Sequence, residues 1–261
     1  MFSVTSAQLN AWIVFYAFPL ARVLGLIATA PLWSTAGIPR RTRLILGLAI
    51  TLAIAPALPP MPEVQPGSLA GLWILGQQMF IGIAMGFAAR VVFAAVDMAG
   101  TFIGFQMGLG FATFYDPIDG AQTPVLAEFI GLLALLMFMA LDGHLLYVAT
   151  LAQSFYAIPV GPEALSPNSW KNIAELGGKI FSAGLLLSLP VLVALIITNV
   201  ALGVLTKAAP QLNLFALGFP VTLMGGFVAV GISLTYLSGP FKELYDYALR
   251  AMLGFALPAG G

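Results

Sequence analysis

The sequence contains no cysteine, a single histidine and few charged residues. Only 8% of its 261 residues are Asp, Glu, Lys or Arg. Without thiols the chain forms no disulfide, ligates no iron–sulfur cluster and has no thiolate nucleophile. Ten basic residues balance ten acidic ones, so the basic surface of a nucleic-acid-binding protein is missing. We therefore predict no nucleic-acid partner.

The motifs of an intramembrane enzyme are also missing. The carboxylates are scattered along the chain, at Asp97, Asp116, Asp119, Glu128 and Asp142. Neither Gly-x-Ser-x-Gly nor His-Glu-x-x-His occurs, and Gly177-Gly178-Lys179 lacks the upstream Gly and the following Ser or Thr of a phosphate-binding loop. We predict that the protein is not an enzyme and has no catalytic residue, cofactor or metal.

Apolar residues make up most of the chain. They account for 60% of it. Charged residues account for only 8%, whereas a soluble domain carries about 25%. The long apolar runs predict an all-α integral membrane protein of kinked helical hairpins. These runs are Leu9–Trp33, Leu44–Leu58, Leu69–Val96, Val125–Leu151, Leu176–Leu205 and Leu214–Leu237.

Between the runs, the sequence predicts two connections and a topology. Prolines make Ala55–Gly67 a stiff extended linker, and Pro159–Lys179 is predicted to be a polar connection. The basic cluster Arg40–Arg43, together with Arg90 and Lys207, favours the cytoplasmic side. Arg22, inside the first run, either faces a protein interior or extends to a lipid headgroup.

Glycines recur at helical spacing in the third run and just after it. Such spacing lets helix backbones approach closely in apolar surroundings. We predict that this face packs against another helix. The glycines are Gly82, Gly86, Gly100, Gly104 and Gly108.

Gly108–Thr123 does not have the composition of a membrane span. It combines Asp-Pro and Asp-Gly turn signals with several aromatic residues. An aromatic belt at the membrane surface is one interpretation. The other is an apolar plug in a pore, formed by Met107, Gly108, Leu109, Gly110, Phe111, Phe114 and Tyr115.

Lys207–Pro220 joins the last two apolar runs. Pro210 stops a helix, and Gln211 and Asn213 each carry a donor and an acceptor. A simple turn between spans would need no such order of residues. The segment continues with Phe215, Gly218, Phe219 and Pro220.

The order of residues in this segment resembles the signature of the FliR/SctT family, whose members are export-gate subunits of type III secretion systems. The family usually has Arg where Lys207 stands, and Lys lacks the planar fork through which guanidinium makes bidentate contacts. Two further patches resemble the family. One runs from Gly37-Ile38-Pro39 through the arginines, and the other links Gly143-His144 to Ser154-Phe155 and Ile158-Pro159.

The resemblance implies a division of the chain. Residues 1–170 would form a FliP-like helical part with a plug loop at about 106–123. Residues 171–261 would form a FliQ-like helical hairpin, followed by an amphipathic C-terminal helix. The polar and apolar positions of Pro240–Leu257 independently predict that last helix.

The resemblance also implies a function. With FliP and FliQ, and with FlhB and FlhA nearby, the chain would form the gate that passes unfolded flagellar subunits across the inner membrane. Part of it would be raised from the bilayer toward the periplasm, within the basal body. An injectisome SctT homologue and a small secondary transporter or channel are the alternatives.

Overall fold

The computed structural model describes residues 5–35, 37–110, 124–163, 167–209 and 214–254. All regular structure in these residues is helical, which confirms the all-α prediction. The helices are α1 Ser6–Thr29, α2 Arg40–Ile54, α3 Leu69–Gln106, α4 Val125–Ala140, α5 Gly143–Ala157, α6 Pro167–Ala208, α7 Leu214–Leu234 and α8 Ser238–Gly254. A short 3-10 helix, Ala55–Ala57, follows α2.

Within the described parts of the chain, three helices are long and apolar enough to cross a membrane. Their candidate spans are Trp12–Thr29 in α1, Leu69–Gln106 in α3 and Ser169–Ala208 in α6. Two further candidates are bent pairs, α4 with α5 at 66° and α7 with α8 at 63°. These bent pairs agree with the expected kinked hairpins. The length and apolar composition of the helices identify the chain as a membrane protein.

The prediction of one continuous run over Val125–Leu151 is wrong, because the chain breaks between α4 and α5. Asp142 has φ 54°, the only positive φ among the non-glycine residues that the structure describes. Its carbonyl accepts the N–H groups of Leu145 and Leu146 at 2.9 and 3.1 Å. Asp tolerates this left-handed conformation better than apolar residues do, so it ends one helix and starts the next.

Two other sequence boundaries are also corrected. The linker Ala55–Gly67 begins as the 3-10 helix and becomes extended only at Leu58. The second half of the predicted connection Pro159–Lys179 is helical, because α6 starts at Pro167. Proline suits the first turn of a helix, where its missing N–H costs nothing.

Two compact units can be distinguished. The first comprises the described parts of Met1–Val91, Met139–Leu176 and Asp246–Gly261. Its core is formed by fully buried apolar side chains of α1, α3 and α5, with the Trp33 ring set edge-on to Tyr147 at 6.3 Å. Val23, Leu26, Ile27, Ile74, Ile81, Met85, Leu151 and Phe155 belong to this core.

The second unit comprises the described parts of Val92–Phe138 and Gly177–Tyr245. Aromatic rings contribute to its core. The ring centre of Phe138 lies 5.7 Å from that of Phe93 and 5.4 Å from that of Tyr245, and both pairs are edge-on. The division at residue 170 rests on resemblance to FliP and FliQ rather than on compactness, and it stays a prediction.

The last helix is amphipathic, as expected. Phe241, Tyr245, Ala248 and Met252 are buried along one side of α8, at spacings of three and four residues that place them on one helical face. Lys242, Glu243 and Arg250 are exposed.

Candidate functional site

Glycines of α3, which have no side chain, let α1 and α3 pack closely side by side in the first unit. A Cβ added at Gly82 would overlap the carbonyl oxygen of Arg22, and one at Gly86 would overlap Oγ1 of Thr29. That hydroxyl donates to the Gly25 carbonyl at 3.0 Å and lies 3.3 Å from the Ile83 carbonyl of α3. The two helices are parallel, since successive positions of α1 meet successive positions of α3.

This close approach positions a buried polar group, the Arg22 cluster, which consists of Arg22, Gln78, Ser154, Phe155 and Ile158. Arg22 is 0% exposed and Gln78 is 1% exposed. Nε and Nη2 of Arg22 donate to Oε1 of Gln78 at 2.8 and 2.5 Å. Nη1 donates to Oγ of Ser154 at 3.0 Å, and Nη2 donates to the carbonyl of Ile158 at 2.8 Å.

The positive charge of Arg22 is stabilised without an acid. No carboxylate among the described residues bonds to it. Instead, Ile158 caps the C-terminus of α5, where the helix dipole is negative. The guanidinium carbon also lies 4.0 Å from the centre of the Phe155 ring, a favourable cation–π position.

The Arg22 cluster holds α1, α3 and α5 together. The Ser154 hydroxyl donates to the Leu151 carbonyl at 2.7 Å while it accepts from Arg22, so its proton is already engaged. A charge at the centre of a span costs about 3 kcal/mol on insertion scales, and the cluster offsets this by satisfying the guanidinium. The sequence left open whether Arg22 faces a protein interior or extends to a lipid headgroup. Because its side chain is fully buried, it faces the protein interior.

The end of α3 leads into the predicted plug. Met107 is fully buried, and Gly108 has φ 83°, which glycine adopts at little cost. Leu109 and Gly110 are half-buried. Phe111, Phe114 and Tyr115 lie outside the described residues, so the plug itself stays a prediction.

The predicted glycine face continues in the second unit. A Cβ at Gly100 would lie 3.0 Å from Cβ of Ala127 and closer still to its Cα. At Gly104 the nearest atom would be Cβ of Leu126, at 3.9 Å, which is ordinary contact. Helix α4 therefore lies closer to α3 at Gly100 than at Gly104.

The predicted connector lies partly outside the described residues. Lys207 is exposed in the last turn of α6, and the Ala209 N–H bonds the Leu205 carbonyl at 2.9 Å. Pro210, Gln211 and Asn213 are not among the described residues. Helix α7 contains the others: Phe215, buried Gly218, and exposed Phe219 and Pro220.

Sequence reasoning missed the partners of Arg22. Gln77 and Gln78 interrupt an apolar stretch of α3, which is a signal that a polar contact exists there. Ser154, Phe155 and Ile158 belong to a patch that carries the family resemblance, and all three contact Arg22. The family resemblance pointed to these three residues, but only the fold shows that they surround the Arg22 guanidinium.

Helices α6 and α7 leave much apolar surface uncovered. In the candidate span of α6 only 22% of the apolar segment is buried, compared with 61% in α3. Large side chains remain more than half exposed, among them Leu186, Ile197, Val200, Val204, Met224 and Val228. Surface of this extent requires lipid or another protein.

These features define a helical membrane protein with a buried structural arginine and a large uncovered apolar face. A family model described as bacterial export proteins, family 1, matches residues 13–248, and the chain belongs to this family.

Its relatives are flagellar. FliR, the flagellar biosynthetic protein of Escherichia coli (strain K12), is 45% identical over 243 residues, which cover 93% of this chain and 92% of the relative. FliR of Pectobacterium carotovorum subsp. carotovorum is 41% identical with the same coverage. FliR of Bacillus subtilis (strain 168) is 28% identical over 92% of this chain and 94% of its own. The protein is a subunit of the flagellar export apparatus.

Proposed function

We propose that the chain is a non-enzymatic subunit of the gate of this apparatus. With FliP and FliQ it forms the channel through which unfolded flagellar subunits cross the inner membrane. FlhB and FlhA are further partners. The names of the relatives favour the flagellar system over an injectisome or a small transporter.

The uncovered apolar face of α6 and α7 carries this proposal. In a single subunit most of the apolar surface of α6 is exposed. Helices of neighbouring subunits would cover it. Helix–helix contacts in apolar surroundings depend on close packing. Partner helices seated on α6 and α7 would bury the face and build a wall around a channel.

Part of this assembly is proposed to lie above the bilayer, toward the periplasm. Apolar side chains buried by protein and by lipid have the same composition, so an apolar helix does not by itself require lipid. The apolar face of α6 is therefore compatible with a position inside an assembly outside the hydrocarbon core.

Copurification tests the proposal. The tagged chain, expressed with FliP and FliQ, should recover both, and Val200→Arg should abolish recovery by placing a charge on the exposed apolar face. Lys242→Glu, on the polar side of α8, is the matched control and should recover both partners. Full recovery with Val200→Arg, or no recovery with the unchanged chain, would refute the proposed assembly.

A further inference from the structure

The side chain of Met107 packs the end of α3 against α7. Met107 is fully buried. A Cβ added at Gly226 of α7 would lie 2.5 Å from Cγ of Met107 and 2.7 Å from both its Sδ and its Cε. The Met107 side chain therefore lies along Gly226, which has no side chain of its own. Both residues belong to the second unit.

The two adjacent glycines of α7, Gly225 and Gly226, differ in their surroundings. Glycine is a poor helix former, so its presence inside a helix needs a reason. A Cβ added at Gly225 would have no neighbour within 4 Å in the described part of the chain. At Gly226, Met107 leaves no room for a methyl group, and a fully buried side chain has little free space into which it can move. Gly226 thus forms a notch in α7 that fits Met107.

The chain turns immediately after this contact. The Met107 N–H donates to the Ile103 carbonyl at 2.9 Å, and the Gly108 N–H donates to the Phe105 carbonyl at 3.0 Å. Gly108 then has φ 83°, and a Cβ added at Gly110 would lie 2.9 Å from the ring of Phe105. The chain therefore leaves α3 by folding back on the last turn of that helix, and Met107 is the buried residue directly before the fold.

We propose that Met107 and Gly226 are positioning residues of the proposed gate. Met107, seated in the notch at Gly226, fixes on α7 the point from which the predicted plug begins. This inference rests on the proposed function and adds α7 as the element that sets the position of the plug. A hydrophobic constriction excludes ions only while it stays narrow. Displacement of the base of the plug should therefore let ions pass.

Two glycine substitutions test the positioning role. Each variant is expressed in cells with FliP and FliQ, assembly is measured by copurification, and ion leak is measured by conductance. Gly226→Ala displaces Met107 and should raise the leak of assembled complexes about tenfold, the factor that corresponds to about 1.4 kcal/mol of overpacking. Gly225→Ala is the matched control. It adds the same methyl group one residue away, where it displaces nothing, and should leave the membrane tight.

A double substitution shows whether the effect passes through Met107. Met107→Ala removes Cγ, Sδ and Cε, the atoms that the new methyl group would overlap, and should itself cause a leak by releasing the base of the plug. In that background Gly226→Ala should cause no further leak, because the two residues act through one contact. Met107→Ala creates space rather than overpacking, so it also tests the role if Gly226→Ala does not assemble.

Two results would overturn the positioning role. One is an assembled Gly226→Ala or Met107→Ala complex that is as tight as the Gly225→Ala complex, and the other is additive leaks in the double variant. A variant that lacks Leu109–Tyr115, measured alongside, distinguishes this failure from failure of the gate. If that deletion leaks while the Met107 and Gly226 variants stay tight, only the positioning role is wrong. If the deletion is also tight, the proposed plug is wrong as well.

Discussion

At the scale of single residues, the Arg22 cluster shows how an apolar protein accommodates a charge. Four hydrogen bonds tie Arg22 of α1 to Gln78 of α3 and to Ser154 and Ile158 at the end of α5. Lys in the same place would have a compact ammonium without the fork that reaches three partners. The cluster thus depends on the shape of guanidinium as well as on its charge.

Arg22→Ala should destabilise the protein by about 2–6 kcal/mol, because Gln78 Oε1 and the Ile158 carbonyl lose their donors at about 1–3 kcal/mol each. Arg22→Lys should recover only part of this loss. Thermal unfolding of the purified protein in detergent measures both. Arg250→Ala is the control, since an exposed arginine should change stability by less than about 0.5 kcal/mol. Equal stability of Arg22→Ala and Arg250→Ala would show that the cluster contributes nothing.

The sequence left the location of Arg22 open for a physical reason. Whether an arginine faces protein or a headgroup depends on its partners, and Gln78 and Ser154 are 56 and 132 positions away. The helices were easier to predict, because apolar runs and turn residues are local signals. The break at Asp142 had a local signal in Asp142-Gly143, yet the surrounding apolar residues concealed it. The plug and most of the connector lie outside the described residues.

At the scale of helices, two glycines on the same face of α3 pack differently against α4. Gly100 and Gly104 occupy equivalent positions one turn apart on α3, but only at Gly100 does the backbone of α4 leave no room for a methyl group. Sequence spacing alone assigns both glycines the same importance, because it shows the face but not the distance to the neighbouring helix.

Gly100→Ala should therefore destabilise the protein by about 1–3 kcal/mol through overpacking against Ala127. Gly104→Ala should be neutral or stabilising by up to about 1 kcal/mol, since Ala is the better helix former. Denaturation of the two purified variants, side by side, measures the difference. Equal effects at the two positions, or a larger loss at Gly104, would contradict the close approach at Gly100.

At the scale of the whole molecule, the proposed gate must block ions while it lets an unfolded chain pass. A hydrophobic constriction excludes ions by dewetting and needs no covalent closure. Gly108, with its positive φ, allows the chain to turn sharply at the end of α3. The aromatic residues that follow would supply the constriction in the closed state.

Deleting Leu109–Tyr115, or replacing Phe111 and Phe114 with Ala, should make the membrane leak small ions while the complex still assembles. Conductance and ion-sensitive growth are measured in cells that express the variant with FliP and FliQ. Tyr236→Ala removes an exposed aromatic ring of the second unit and should leave the membrane tight. An assembled deletion variant as tight as the unchanged protein would leave this segment as an ordinary connector.

The length of α3 sets a limit on how the protein can meet a bilayer. Its 38 residues extend about 57 Å, nearly twice the hydrocarbon thickness. Tilting alone could remove this mismatch only at about 60° from the membrane normal, whereas membrane helices rarely exceed about 40°. An isolated copy would therefore have to deform the lipid around it or leave apolar helix in water. Either outcome makes insertion of the unassembled subunit into the membrane energetically unfavourable. Its synthesis is therefore expected to be coupled closely to its incorporation into a complex.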